Sequence, residues 1–287
     1  MYQEIFRILA SPSNLFNTSR NVQSHLIILD DRLPKRSHQK ILVKTNQFMS
    51  KPIAVILGGS GGLGEAIAHH LFEVHNYKIV ITSRDQAKAE KIAGKINQKG
   101  GEAYAIPVNV TNASALTQVA AQIHRELGPV DALIHAYGKG VIQASADINP
   151  ELAAQVVNTN VLGTFLATQA FLGYMNTEHA RMIYFPGTMG KYIMRNSALY
   201  SATKFAIQGM VKGLVEEHKR SNTQFSLLYL GGVDTPFWED EDVQMKVKKE
   251  AMLNPSVIAK VVGNILGLPS THVVNEMVIQ PNSHQLV

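Results

Sequence analysis

Tyr200 and Lys204 stand four residues apart in Tyr200-Ser201-Ala202-Thr203-Lys204, a spacing that puts both side chains on one face of a helix. A free phenol has a pKa near 10 and exchanges protons poorly at neutral pH; a neighbouring ammonium stabilises the phenolate and brings it toward that range. About 140 residues earlier, Gly58-Gly59-Ser60-Gly61-Gly62-Leu63-Gly64 places five glycines in seven positions. Between a buried strand and a helix, such a loop lets backbone amides face a pyrophosphate with no Cβ in the way. Hydride transfer to a carbonyl needs both a held dinucleotide and a positioned proton donor, so the two stretches together predict a nicotinamide-dependent oxidoreductase.

The loop satisfies two templates, since Gly59, Gly61 and Gly64 fit G-x-G-x-x-G while Gly58, Gly62 and Gly64 fit G-x-x-x-G-x-G. Its register is open on spacing alone. About 20 residues on, where an acid that binds ribose is expected, the chain reads Ser83-Arg84-Asp85. A guanidinium pairs bidentately with a 2′-phosphate, so Arg84 favours NADP(H) over NAD(H), with Asp85 pointing the other way.

The chain has 287 residues and no cysteine, which excludes disulfides, thiolate nucleophiles and cysteine-ligated metal, and fits a reducing cytoplasm. The net charge of +5 is concentrated at the front: residues 1–48 hold seven Lys/Arg against three acids, leaving the rest near neutral. No nucleic-acid partner is expected from that distribution. Nor is a membrane span, because the most apolar stretch, Val161 to Met175, is broken by Gly163, Thr164, Thr168, Gln169 and Gly173. Of eleven histidines, His69, His70 and His75 fall on or beside a helix without carboxylates at ligand spacing, so they read as a solvated face and no metal is expected.

Residues 1–48 lack sustained periodicity and read as a poorly ordered extension; Met49 directly precedes the ordered pattern, as an alternative start would. Residues 49–287 read as one catalytic domain. Apolar runs at Ile53–Leu57, Lys78–Thr82, Ala103–Pro107, Ala132–His135, Ile183–Phe185, Phe225–Leu230 and Val274–Ile279 predict seven strands. Helical segments fall at Leu63–Val74, Gln86–Gln98, Ala113–Leu127, Pro150–Met175 and from Tyr200 to Lys219. This alternation predicts an α/β fold with one doubly wound, mainly parallel sheet, and ligands beyond the carboxyl ends of its strands.

Over Pro52 to Pro281 the chain resembles the short-chain dehydrogenase/reductase family. Gly58 to Gly64 resembles the cofactor loop, with Gly58, Gly62 and Gly64 in register; Asn109-Val110 resembles the pair that touches adenine; Asn160-Val161-Leu162-Gly163 resembles the segment carrying the family's asparagine. Tyr200 to Lys204 matches the catalytic signature, and Gly231-Gly232-Val233-Asp234-Thr235 resembles the segment that grips the nicotinamide carboxamide. The resemblance implies a Rossmann fold, NADP(H) held by Gly58, Ser60, Gly61, Gly62, Leu63, Gly64, Arg84, Asn109, Val110, Val233 and Thr235, and a homodimer or homotetramer. It implies that Tyr200 donates the proton, Lys204 lowers its pKa and holds the ribose, and Asn160 anchors a relay water.

Three positions depart from the family pattern. The usual serine 13 residues before the tyrosine is Gly187, with Thr188 beside it as the candidate hydroxyl. The usual Asn-Asn-Ala-Gly reads His135-Ala136-Tyr137-Gly138, where His135 is expected to replace a structural hydrogen bond, and Pro-Gly after the sixth strand reads Gly231-Gly232. Phe237 and Trp238, followed by Glu239 to Asp242, are expected to cover an apolar carbonyl or alcohol substrate opposite Met189, Tyr192, Ile193 and Met194; the other reading of Pro236 to Asn254 is a charged surface helix. The missing serine keeps open a second function, a cofactor-binding protein with little turnover that responds to redox state.

Overall fold

A computed structural model describes residues 51–284; the extension expected over residues 1–48 lies outside them. In chain order the elements are β1 (Ile53–Leu57), α1 (Gly62–His75), β2 (Lys78–Ser83), α2 (Gln86–Gln98), β3 (Ala103–Pro107), α3 (Ala113–Glu126) and β4 (Ala132–His135). There follow α4 (Pro150–Val157), α5 (Gly163–Leu172), β5 (Ala180–Tyr184), α6 (Ala198–His218), β6 (Thr223–Leu230), α7 (Pro255–Leu266) and β7 (Glu276–Ile279). The strands pair in parallel in the order β3-β2-β1-β4-β5-β6-β7, the predicted doubly wound sheet.

Central strands such as β1 are buried on both faces, and the two-residue period of a strand divides their side chains between two cores. Val55 and Leu57 join α3, α5 and α6; Ala54 and Ile56 join α1, α2 and α7. Among the described residues no helix is long and apolar enough to cross a membrane.

Several sequence expectations shift. β5 runs Ala180–Tyr184 rather than Ile183–Phe185, and β7 starts at Glu276, not Val274. The helix expected over Pro150–Met175 is α4, then a π-helical turn over Asn158–Leu162, then α5, which stops at Leu172 before Gly173. Helix α7 has no counterpart among the predicted helices, yet two parallel neighbours such as β6 and β7 require a crossover. Its signals are Asn254, which caps the Ser256 amide at 2.8 Å, Pro255 in the first turn, and buried Ile258, Ala259, Val262, Ile265 and Leu266 on one face.

The histidines of α1 are not a solvated face. His70 and His75 pack edge to face at 5.4 Å and bracket Gly263 of α7, where a Cβ would lie 2.5 Å from His75 Nε2 and 2.8 Å from His70 Nε2. His135, expected to replace a structural hydrogen bond, makes none: both ring nitrogens are buried without a partner, and the ring stacks on Tyr184 at 4.4 Å. The reason is position, since the last residue of β4 lies between β1 and β5 with a core on each side.

Burial without a hydrogen bond lowers the His135 pKa to about 3, against 6.5 for an exposed imidazole. A depressed histidine pKa leaves stability intact above about 6.5 and removes it as the pH falls toward 3. Between pH 7.5 and 5.5 the stability of the chain relative to His135→Phe is expected to drop by about 1 kcal/mol, measured by urea unfolding of both proteins at each pH. A difference that stays constant over this range would show that His135 is not held neutral.

Candidate active site

The chain leaves β1 toward β2 and returns from β3 to β4, so a crevice opens where the loops after β1 and β4 diverge. In the first loop the Gly58 and Gly59 amides both donate to Thr82 O of β2 at 3.0 Å, and Gly61 N donates to Gly58 O at 3.0 Å. Gly64 lets α1 approach this turn: a Cβ there would stand 2.5 Å from Gly58 O and 2.7 Å from Gly59 Cα. Helices α2, α3, α4 and α7 begin with Asp85, Asn112, Asn149 and Asn254 capping a backbone amide, whereas Gly61 offers α1 no side-chain cap. The first-turn amides of α1 are therefore available to an anion, and those of Gly62, Leu63 and Gly64 fit a pyrophosphate, while the Gly61 amide is already bound to Gly58 O.

Ser60 hydrogen-bonds Ser83 at 2.5 Å, tying the loop to the end of β2. Next to it Arg84 is exposed and makes no ion pair among the described residues, so its guanidinium is open to a phosphate. Asp85, the residue that pointed toward NAD(H), is engaged elsewhere: its carboxylate caps α2 through Lys88 N at 3.0 Å. Asn109 accepts from the Thr111 amide and hydroxyl, and Val110 packs toward Gly163. From the end of β6, Thr235 closes over the glycine loop, its Cγ2 3.1 Å from where a Gly62 Cβ would stand, while Val233 O accepts Trp238 Nε1 at 2.8 Å.

Tyr200 and Lys204 share one face of α6, with Lys204 Nζ 5.3 Å from the centre of the Tyr200 ring. The amine is buried and donates to Phe185 O, just beyond β5, at 3.1 Å. Asn160, buried in the π-helical turn, accepts from Lys139 N at 2.8 Å and donates to Lys139 O at 3.0 Å and Thr203 Oγ1 at 3.1 Å. Its own carbonyl accepts the Thr164 hydroxyl at 2.7 Å. Asn160 thus joins the loop after β4 to the residue preceding Lys204.

Desolvation alters the expected electrostatics. Burial pushes the Tyr200 phenol above its ordinary value, contrary to the expected lowering, and brings the Lys204 amine down to about 8. The amine lies 5.3 Å from the centre of the Tyr200 ring, and burial of the phenol outweighs its pull on the phenolate in setting the direction of the shift.

The segment after Thr235 covers this pair. Phe237 lies 5.8 Å from Tyr200 ring to ring and 5.1 Å from Trp238, and both pack with Ile142, Met189, Met194 and Val243. Of the expected opposite wall, Met189 and Met194 take part, but Ile193 is 74% exposed and Tyr192 stands outside the cluster. Sequence reasoning missed Lys139, Thr203 and Ser83; only Lys139 left a signal, as the residue after the altered His135-Ala136-Tyr137-Gly138.

Gly187 occupies the serine position with φ 68° and ψ 169°, a region reserved almost wholly for glycine. Thr188 follows as the first residue of a short 3-10 turn, its carbonyl accepting the Lys191 and Tyr192 amides at 2.9 and 2.8 Å.

The model of the short chain dehydrogenase family matches residues 52–246. A sepiapterin reductase of Chlorobaculum tepidum is 28% identical over 240 residues, covering 81% of this chain and 97% of that protein. An uncharacterized oxidoreductase of Staphylococcus saprophyticus is 28% identical over 231 residues, covering 80% and 97%. Among solved structures, an alcohol dehydrogenase from Thermococcus sibiricus, complexed with 5-hydroxy-NADP, superposes with a TM-score of 0.76 at 25% identity, covering 83% of this chain and 100% of its own.

The backbone at Gly187 makes a simple test. Gly187→Ser is expected to lower stability by about 1–3 kcal/mol, seen as a lower urea midpoint, because the serine would enter a glycine-only conformation. An unchanged midpoint would show that the turn adapts freely.

Proposed function

Because this chain belongs to the short-chain dehydrogenase family, we propose that it uses NADP(H) to reduce a carbonyl compound, or to oxidise the matching secondary alcohol, with Tyr200 exchanging the proton. The observation that carries this reading is the Tyr200 and Lys204 pair on α6, beside the uncapped glycine loop at the crevice. The alcohol dehydrogenase of similar fold, named as a complex with an NADP derivative, supports the choice of cofactor class.

A bound reduced nicotinamide supplies the hydride. Gly58 to Gly64 hold the pyrophosphate, Arg84 the 2′-phosphate, Asn109 and Val110 flank the adenine, and Val233 and Thr235 contact the carboxamide. A phenol whose pKa is raised by burial is protonated at neutral pH, which suits Tyr200 to donate its proton to the developing alkoxide oxygen. Lys204 stabilises the resulting phenolate and holds the ribose hydroxyls while its amine is charged, which is the case below about pH 8. Asn160 orients the loop after β4 and anchors the relay water near Lys204. Thr188 polarises the substrate oxygen in place of the family's serine. Phe237 and Trp238 exclude water and favour an apolar or aromatic substrate.

Leu162 and Phe165, at and after the π-helical turn, and Phe205 on α6 expose large apolar side chains, which supports self-association as a homodimer or homotetramer. We place residues 1–48 outside the catalytic domain, and the protein in the cytoplasm on its lack of cysteine. Gly187 favours a second reading, in which the chain binds cofactor with little turnover.

With NADPH and a panel of aldehydes, ketones and quinones, Tyr200→Phe is expected to lose about a hundredfold or more in kcat/KM; NADPH binding without turnover of any member would favour the second reading. Thr188→Ala is expected to cost about a hundredfold in kcat, and full retained activity would remove its role. Reduction should also slow as pH rises through about 8, where Lys204 loses its charge. Titration should show NADPH bound more tightly than NADH, with the preference shrinking by about tenfold in Arg84→Ala; equal affinities in the parent protein would refute the assignment.

A further inference from the structure

Of the acids after Trp238, Glu239 and Glu241 are exposed, but Asp240 and Asp242 are neither on a surface helix nor free in solvent. Lys139 Nζ lies 2.9 Å from both carboxylate oxygens of Asp240 and 2.6 Å from Asp242 Oδ2, and all three side chains are at least half-buried. Asp242 is held on the backbone as well: Ile142 N donates to Asp242 O at 2.8 Å and Gln244 N donates to Ile142 O at 2.9 Å, a parallel bridge between Ile142 and Val243. One step away, Phe237 lies on Gly140, so close that a Cβ there would stand 2.6 Å from the ring. The segment from Phe237 to Gln244 is therefore docked on residues 139–143.

The other side of Lys139 faces the proton-transfer pair. Its N–H and C=O are both bound by Asn160, whose amide also donates to Thr203, and Thr203 Oγ1 in turn donates to Tyr200 O at 2.7 Å. A single residue connects the cover of the site, through its side chain, to the helix of Tyr200, through its backbone.

We propose that Lys139 is a positioning residue that sets how closely Phe237 and Trp238 cover the substrate end of the site, by holding Asp240 and Asp242 while Asn160 holds its backbone. Its catalytic consequence rests on the oxidoreductase reading; the positioning itself does not. Because the three charges are partly exposed, salt screens them, and the cover loosens as ionic strength rises. A looser cover weakens contacts to an apolar substrate more than the proton transfer itself, so KM moves rather than kcat.

Trp238 is the only tryptophan in the chain, so its fluorescence reports the cover without turnover. In Lys139→Met, which keeps the apolar stem and removes the charge, acrylamide quenching of Trp238 is expected to rise by about twofold and to lose its dependence on NaCl. Lys139→Arg should restore most of the parent behaviour, and the double variant Asp240→Asn, Asp242→Asn should reproduce Lys139→Met; it carries the test alone if Lys139→Met does not fold. With any ketone the parent turns over, KM should rise about three- to tenfold in Lys139→Met while kcat changes less than KM. Parent-like quenching and salt dependence in the folded variants would overturn the proposal, as would a fall in kcat at constant KM. Altered quenching without turnover of any carbonyl would leave the positioning role standing and count against the enzymatic reading instead.

Discussion

A primary amine buried beside a phenol, at the mouth of a crevice and with a single carbonyl as its hydrogen-bond partner, is the constraint around which this site is built. Moving the Lys204 pKa from 10.5 to about 8 corresponds to about 3 kcal/mol against the charged form at neutral pH, an outlay that packing alone does not require. An apolar residue at this position of α6 would fold at lower cost. The arrangement makes chemical sense only if something negative, a phenolate or a cofactor's polar groups, shares the space.

The surrounding fold follows from holding that pair in place. The doubly wound sheet brings the ends of β1, β4, β5 and β6 to one side, so that loops distant in sequence converge on α6. The π-helical turn between α4 and α5 inserts the buried Asn160 amide between the loop after β4 and Thr203. Such single-turn π insertions are commonly found at functional sites, because an extra residue re-aims a side chain that an α-helix would direct elsewhere. Lys139 extends the same connection outward to the aromatic cover.

Much of this was legible in the sequence where a local pattern had one physical outcome. Alternating apolar runs gave seven strands, and the glycine loop and the Tyr200 to Lys204 spacing each marked a helix and the chemistry it carries. What stayed hidden depended on contacts between distant segments. Asp85 reads as a ribose ligand until α2 is seen to start on it, and His135 reads as a hydrogen-bonding residue until both of its neighbouring strands are in place. The direction of the Tyr200 shift follows from three-dimensional burial, which spacing along one helix does not report. The partners of Asp240 and Asp242 lie about 100 residues away, beyond any periodicity.

The most direct test of the central claim is a crystal structure of the protein with NADP+ and a carbonyl or alcohol ligand. The account predicts a nicotinamide ring facing Tyr200, with the ligand oxygen about 3 Å from the phenol hydroxyl and the pyrophosphate on the first turn of α1. A ring bound far from Tyr200, or a phenol turned away from the ligand oxygen, would contradict it.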